Sequence, residues 1–202
     1  MCKQLVIVFF MIPLICIGQE EVTWQESVLA YQREANEHFS NPETSILNPA
    51  DLKVFEGLEF YPIDQAYRVT ATFKRTPDQK PFKMPTSTDR LPLYVKYGEL
   101  SFSIKGQQLE LVIYKSLSSF DDPEYKDYLF LPFTDLTSGD GSYGGGRYLD
   151  VRIPEGDTIQ LDFNKVYNPY CAYSENYSCP IPPRINDLNI RIEAGVKDFG
   201  HH

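Results

Sequence analysis

Leu93–Tyr114 reads LYVKYGELSFSIKGQQLELVIY. Aromatic and β-branched residues alternate with polar ones over Leu93–Lys105, the alternation resumes over Leu109–Tyr114, and Lys105-Gly106-Gln107-Gln108 lies between as a turn. Period-two patterning on both sides of a short glycine-bearing turn predicts a β-hairpin with one buried face. Tyr67–Arg75 (YRVTATFKR) carries the same pattern. Shorter runs follow at Tyr128–Leu131, Arg147–Ile153, Thr158–Phe163 and Leu188–Ile192, set apart by turns at Gly139-Asp140-Gly141, Pro154-Glu155-Gly156-Asp157 and Pro180–Pro183. About nine or ten short strands in succession predict a mainly β domain, an antiparallel barrel or a sandwich-like curled sheet.

Helical patterning is confined to the N-terminal side. Over Thr23–Phe39, Thr23 is an N-cap candidate, Glu26 completes a capping box, and Trp24, Val28, Tyr31 and Ala35 recur at helical spacing until Ser40-Asn41-Pro42. Pro49–Phe55 reads as a second, short helix, capped by Asn48 and stopped at Gly57. The expected class is thus α+β, one or two helices ahead of a curled sheet.

The first residues, MCKQLVIVFFMIPLICIGQ, set Lys3 before an apolar run of 13 residues, Leu5–Ile17, followed by the small Gly18. That order is a secretory signal peptide over residues 1–18, and the run is too short to span a membrane, which needs about 20 residues. Pro13, Leu14 and Ile15 are bulky where a lipoprotein peptidase site has small residues, which speaks against a lipid anchor at Cys16. Residues 19–202 then form one domain, exported to the periplasm or beyond. The net charge of −9 becomes one unit more negative without Lys3, which disfavours nucleic acid and anionic membrane surfaces as partners. Of four cysteines, Cys171 and Cys179 remain, and in an oxidising compartment a disulfide between them is the expectation. A metal centre is not expected, since the only histidines are His38, His201 and His202.

The strings PFTDLTSGDGSYGGGRYLDV, LDFNKVYNPYCAYSENYSCPIPPRINDLNIRIEAGVK and GELSFSIKGQQLELVIYKS resemble a bacterial family known as domain of unknown function 1684. The likeness runs from the N-terminal helix to Lys197. It implies a single exported domain; the family carries no agreed activity, so no catalytic residue follows from it. A bacterial product also makes the Asn176-Tyr177-Ser178 sequon irrelevant.

Three constellations invite chemistry. In Ser142–Tyr148 (SYGGGRY), the amides of Gly144, Gly145 and Gly146 form an anion cradle beside Arg147, whose guanidinium binds carboxylate or phosphate in two-point fashion. Alternatively the glycines make a turn and Arg147 pairs with Asp135 or Asp162. Asp135 follows the end of one predicted strand, Asp162 and Asn164 alternate with Leu161 and Phe163 on another, and the two acids are the candidate carboxylate pair of a hydrolase; the other reading makes Asp135 a turn-former and places Asp162 and Asn164 on a solvent face. The Tyr167–Tyr173 segment, with Tyr177, sets aromatics and Asn168 on a loop, either as a stacking surface for a ligand or as packing for the loop itself. These residues predict a small-ligand site, for an anionic or polyhydroxylated molecule, formed by Arg147, Tyr143, Gly144–Gly146, Tyr148, Asn164 and Asn168. An envelope hydrolase using Asp135 and Asp162, and a structural or interaction module without ligand, are the alternatives. No cofactor motif is evident.

Overall fold

The structure, a computed structural model, describes residues 23–119 and 123–200. The expected signal peptide, with Cys2 and Cys16, and the terminal histidines lie outside the described residues. Helix α1 spans Trp24–Ser40 and opens on the expected capping box: the Thr23 side chain accepts from the Glu26 amide, and the Glu26 carboxylate accepts from the Thr23 amide at 2.8 Å. Helix α2 is Pro49–Val54, with Asn48 as its cap. Seven strands follow: β1 Arg68–Arg75, β2 Phe82–Lys83, β3 Leu93–Ile104, β4 Gln107–Ser116, β5 Tyr128–Phe133, β6 Arg147–Arg152 and β7 Thr158–Asp162.

All pair antiparallel in the order β6-β5-β4-β3-β1-β7, with β2 added to β3. The sheet curls into a half-barrel whose two edges approach each other, and the seam is bridged by the segment after β7 through reciprocal backbone bonds between Tyr148 and Tyr167. The β3–β4 hairpin turns on Lys105 and Gly106 alone, both at positive φ (49° and 84°), the left-handed pair that matches sheet twist. A bulge between Lys96 and Gly98 bends β3, and the missing side chain of Gly98 is filled by the Phe73 ring.

Alternation decides what faces where. Leu100, Phe102, Leu111, Ile113, Leu129, Leu131, Leu149 and Leu161 point into the curl and make the main core with Phe163 and Ile192. Val112, Tyr114, Phe130 and Tyr148 point the other way into a second cluster. Both faces of β5 are therefore covered, and its continuous apolar run YLFLPF is the sequence signature of that.

The expected strand at Leu188–Ile192 does not form. Its backbone is engaged singly, by Thr134 O, the Asp135 carboxylate and the Leu136 amide, so it lies against a loop rather than a ladder. With seven strands among the described residues rather than about nine or ten, the curl stays open on one side. No helix among the described residues is long and apolar enough to cross a membrane.

Candidate functional site

The residues expected to line one pocket separate onto opposite faces of the sheet. Arg147 and Tyr148 are adjacent on β6, so the pleat sends them apart. Arg147 goes inward with Leu149 and is completely buried. Its Nη1 donates to Ala194 O (2.6 Å) and Val196 O (3.2 Å), and its Nη2 to Ile192 O (2.7 Å), Thr137 Oγ1 (3.2 Å) and Asp135 Oδ1 (3.2 Å). Burial pulls the guanidinium pKa down and Asp135 partly restores it. The anion clamp is thus corrected to an internal fastener, which ties the C-terminal segment to the turn at residues 135–138.

Asp135 is consumed in the same network. It accepts from the Ile192 amide at 2.7 Å and from the Thr137 hydroxyl at 2.9 Å, with its side chain buried. Asp162 accepts from Trp24 Nε1 at 2.6 Å and from the Asn164 amide and side chain at 3.1 and 2.9 Å. Asn164, buried, also bonds both backbone groups of Asp64. The two acids face different surroundings with all these bonds made internally, so Asp135 and Asp162 do not form a pair across a cleft. Gly146, at φ 88°, sits where a Cβ would press on Phe133 O at 2.6 Å, a packing requirement rather than an anion cradle. Gly144 and Gly145 are exposed beside it, and Tyr143 turns its hydroxyl to Cys171 Sγ at 3.9 Å.

Tyr148 and Asn168, by contrast, line a cavity of about 720 Å³. Its floor is the outer face of β5 and β6, where alternation aligns Tyr128 with Phe130 and Tyr148 with Asp150. One wall is α1, through Tyr31, Glu34, Ala35 and His38. The other is the loop after β7, through Tyr167, Asn168, Tyr170, Tyr173 and Tyr177, so the aromatic loop of the sequence does stand at a cavity. His38 stacks on Tyr170 with ring centroids 6.4 Å apart, which joins the two walls.

Asp150 is the polar centre. Its Oδ2 accepts from the Tyr167 hydroxyl at 2.6 Å, whereas its Oδ1 is shielded and has no partner. Burial raises the Asp150 pKa; the Tyr128 and Tyr167 hydroxyls and Arg152 pull it back in part. Asn168 Oδ1 and His38 Nε2 are likewise shielded and unpartnered. Unmade hydrogen bonds at buried polar atoms are uncommon, and three of the five among the described residues border this one cavity, the others being Tyr61 Oη and Arg147 Nε. Asp150 and Tyr31 were not singled out from the sequence, although Tyr148 and Asp150 at spacing two on a strand signalled a shared face.

Cys171 and Cys179 meet at the rim as free thiols, Cys179 Sγ accepting from the Cys171 amide at 3.1 Å. Cys171 is held down to about 6, chiefly by a hydrogen bond from Cys179 and further by Tyr143, while the Cys179 thiol is pushed up. No group of three or more His, Cys, Asp or Glu side chains among the described residues is placed to hold a metal.

Comparison with known proteins bears on the fold and not on the chemistry. No curated protein matches the chain. It is similar to the solution NMR structure of an uncharacterized protein of Haloarcula marismortui, with 34% identity, a TM-score of 0.67, and coverage of 88% of this chain and 96% of that one. Residues 53–197 match the family described as "Protein of unknown function (DUF1684)". That match covers more than half of the chain, and the chain belongs to the DUF1684 family.

Proposed function

We propose that this chain is an exported small-molecule-binding domain, its ligand seated between α1 and the outer face of β5 and β6. The observation that carries the reading is the cavity of about 720 Å³, walled by tyrosine and phenylalanine and bordered by unpartnered buried polar atoms. The volume suits an organic ligand, which usually occupies about 300–1,000 Å³. Export rests on the signal-peptide pattern of residues 1–18.

Native mass spectrometry of the protein purified from its own envelope tests this. A mass excess lost on denaturation is expected. Ala35→Trp, which pushes an indole from α1 into the cavity, should remove the excess and leave the far-ultraviolet spectrum unchanged; Ala35→Leu should remove part of it. An excess indifferent to both variants would assign the ligand elsewhere.

The thiols at the rim belong to the same proposal. Outside the cytoplasm, a disulfide-carrying oxidase would accept two electrons and two protons from Cys171 and Cys179 as the S–S bond forms. The closed loop of nine residues should contribute about 2 kcal/mol. The exported protein is expected to weigh two hydrogens less than its reduced form, with the difference mapped to the 171–179 peptide. Two alkylatable thiols in the exported protein would refute the bridge.

A further inference from the structure

We infer that the ligand of the cavity is a primary ammonium on an apolar or aromatic body, its N–H groups received by Asp150 and Asn168 and its charge faced by tyrosine rings. This rests on the ligand-binding reading above and names its chemical class.

The charge of the lining points one way. Glu34 and Asp150 line the cavity and, among the described residues, no lysine or arginine does. An anion would meet repulsion without a counter-charge, so the expectation of an anionic ligand gives way once Arg147 is found in the core.

Hydrogen bonding points the same way. The unpartnered oxygens, Asp150 Oδ1 and Asn168 Oδ1, are both acceptors. The orientation of Asn168 is fixed, because its Nδ2 donates to Lys197 O at 2.9 Å and a flipped amide would set two oxygens against each other. The complementary ligand group must therefore donate at least twice, which an –NH3+ does and an ether or quaternary ammonium does not.

The rings are set around the carboxylate. Tyr31 from α1, Tyr94 from β3, Tyr128 from β5, and Tyr167 and Tyr170 from the loop line the same cavity as Asp150, whose charge contributes to raising each phenol pKa. A desolvated cation among aromatic faces is stabilised by their quadrupoles, and the same faces hold an apolar body.

Asp150 is also a poor choice for stability alone. Its pKa is higher folded than unfolded, because burial outweighs the hydroxyls of Tyr128 and Tyr167 and the charge of Arg152, with Glu34 and His38 of α1 lining the same space. For a raised carboxyl, the favourable contribution is present at low pH and is lost as pH rises through the folded pKa. Holding the ionised carboxylate in the fold therefore carries a cost that a cation beside it would offset.

Calorimetric titration of the exported protein with 2-phenylethylamine, 2-phenylethanol and N,N,N-trimethyl-2-phenylethylammonium at neutral pH decides the matter. The primary amine should bind at least about 10-fold tighter than either analogue, a usual effect of a partly buried charge pair. Asp150→Asn should erase that preference, leave the affinity for the alcohol unchanged, and melt no lower than wild type. A preference retained in Asp150→Asn would overturn the role of Asp150. Equal binding of all three, abolished by Ala35→Trp, would keep the cavity as a site and overturn the ammonium class. No binding of any probe, or binding that Ala35→Trp does not touch, would remove the ammonium class and the cavity reading together.

Discussion

Arg147→Met should destabilise the domain by about 3–5 kcal/mol, the cost of breaking a buried ion pair from one side. The substituted side chain has similar length and no charge, so cavity formation contributes little and the loss reports the network. Three carbonyls, Ile192 O, Ala194 O and Val196 O, lose their guanidinium donor at once. Asp135 keeps its bonds from Thr137 and Ile192 but has no counter-charge within the core. Arg147→Lys should lose less, because an ammonium restores the charge but not the planar fork that reaches five acceptors. Adding Asp135→Asn to Arg147→Met should recover part of the loss, since the stranded charge is gone. Urea unfolding of the four proteins measures all of this. A loss below about 1 kcal/mol for Arg147→Met, the range of surface pairs, would show that the network is not what fastens the C-terminal segment.

Much of the architecture was legible because it is local. The capping box at Thr23, the Asn48 cap and the Lys105-Gly106 turn each depend on a few neighbouring residues, and the structure realises all three. Most strands followed from alternation for the same reason. Leu188–Ile192 was misread because its spacing is apolar enough for a strand while its partners are single groups on a loop far away in sequence.

The site was legible only in outline. Tyr148 and Asn168 reach the cavity, but Arg147, Gly144–Gly146 and Asn164 were grouped with them by proximity in the chain, whereas a pleated strand separates neighbours. The α1 wall could not be foreseen, because Tyr31 and His38 meet the β5–β6 face only after the sheet has curled and the loop after β7 has crossed the seam. Polar residues in turns suggested chemistry, yet several of them spend their hydrogen bonds on the fold. The loop tyrosines, open to either reading in the sequence, line the cavity with Asp150, whose Oδ1 is buried without a partner.

Asn186→Ala is expected to cost about 3 kcal/mol or more, because up to three buried main-chain groups lose a partner at about 1–3 kcal/mol each. The reason begins with Pro132. It lies within β5 and has no N–H, so β4 cannot be paired normally opposite it. The β4–β5 ladder accordingly has one paired position, Tyr114 with Phe130. Beyond it the strands part, and the completely buried Asn186 inserts its amide between them. Nδ2 donates to Val112 O (2.8 Å) and Pro132 O (2.7 Å), and Oδ1 accepts from the Val112 amide (2.8 Å). One side chain thereby stands in for a missing stretch of backbone. Asn186→Asp should be no milder than alanine, since it turns a double donor toward two carbonyls into an acceptor. Amide hydrogen exchange distinguishes this from a general loosening: in Asn186→Ala the Val112 amide should lose protection well beyond its β4 neighbour Ile113. If Val112 and Ile113 accelerate equally, the amide of Asn186 is not the local substitute for the ladder. The consequence reaches the cavity, because the β5–β6 hairpin that Asn186 holds to β4 carries Tyr128, Phe130, Tyr148 and Asp150, so Asn186→Ala should also weaken ligand binding without touching the lining.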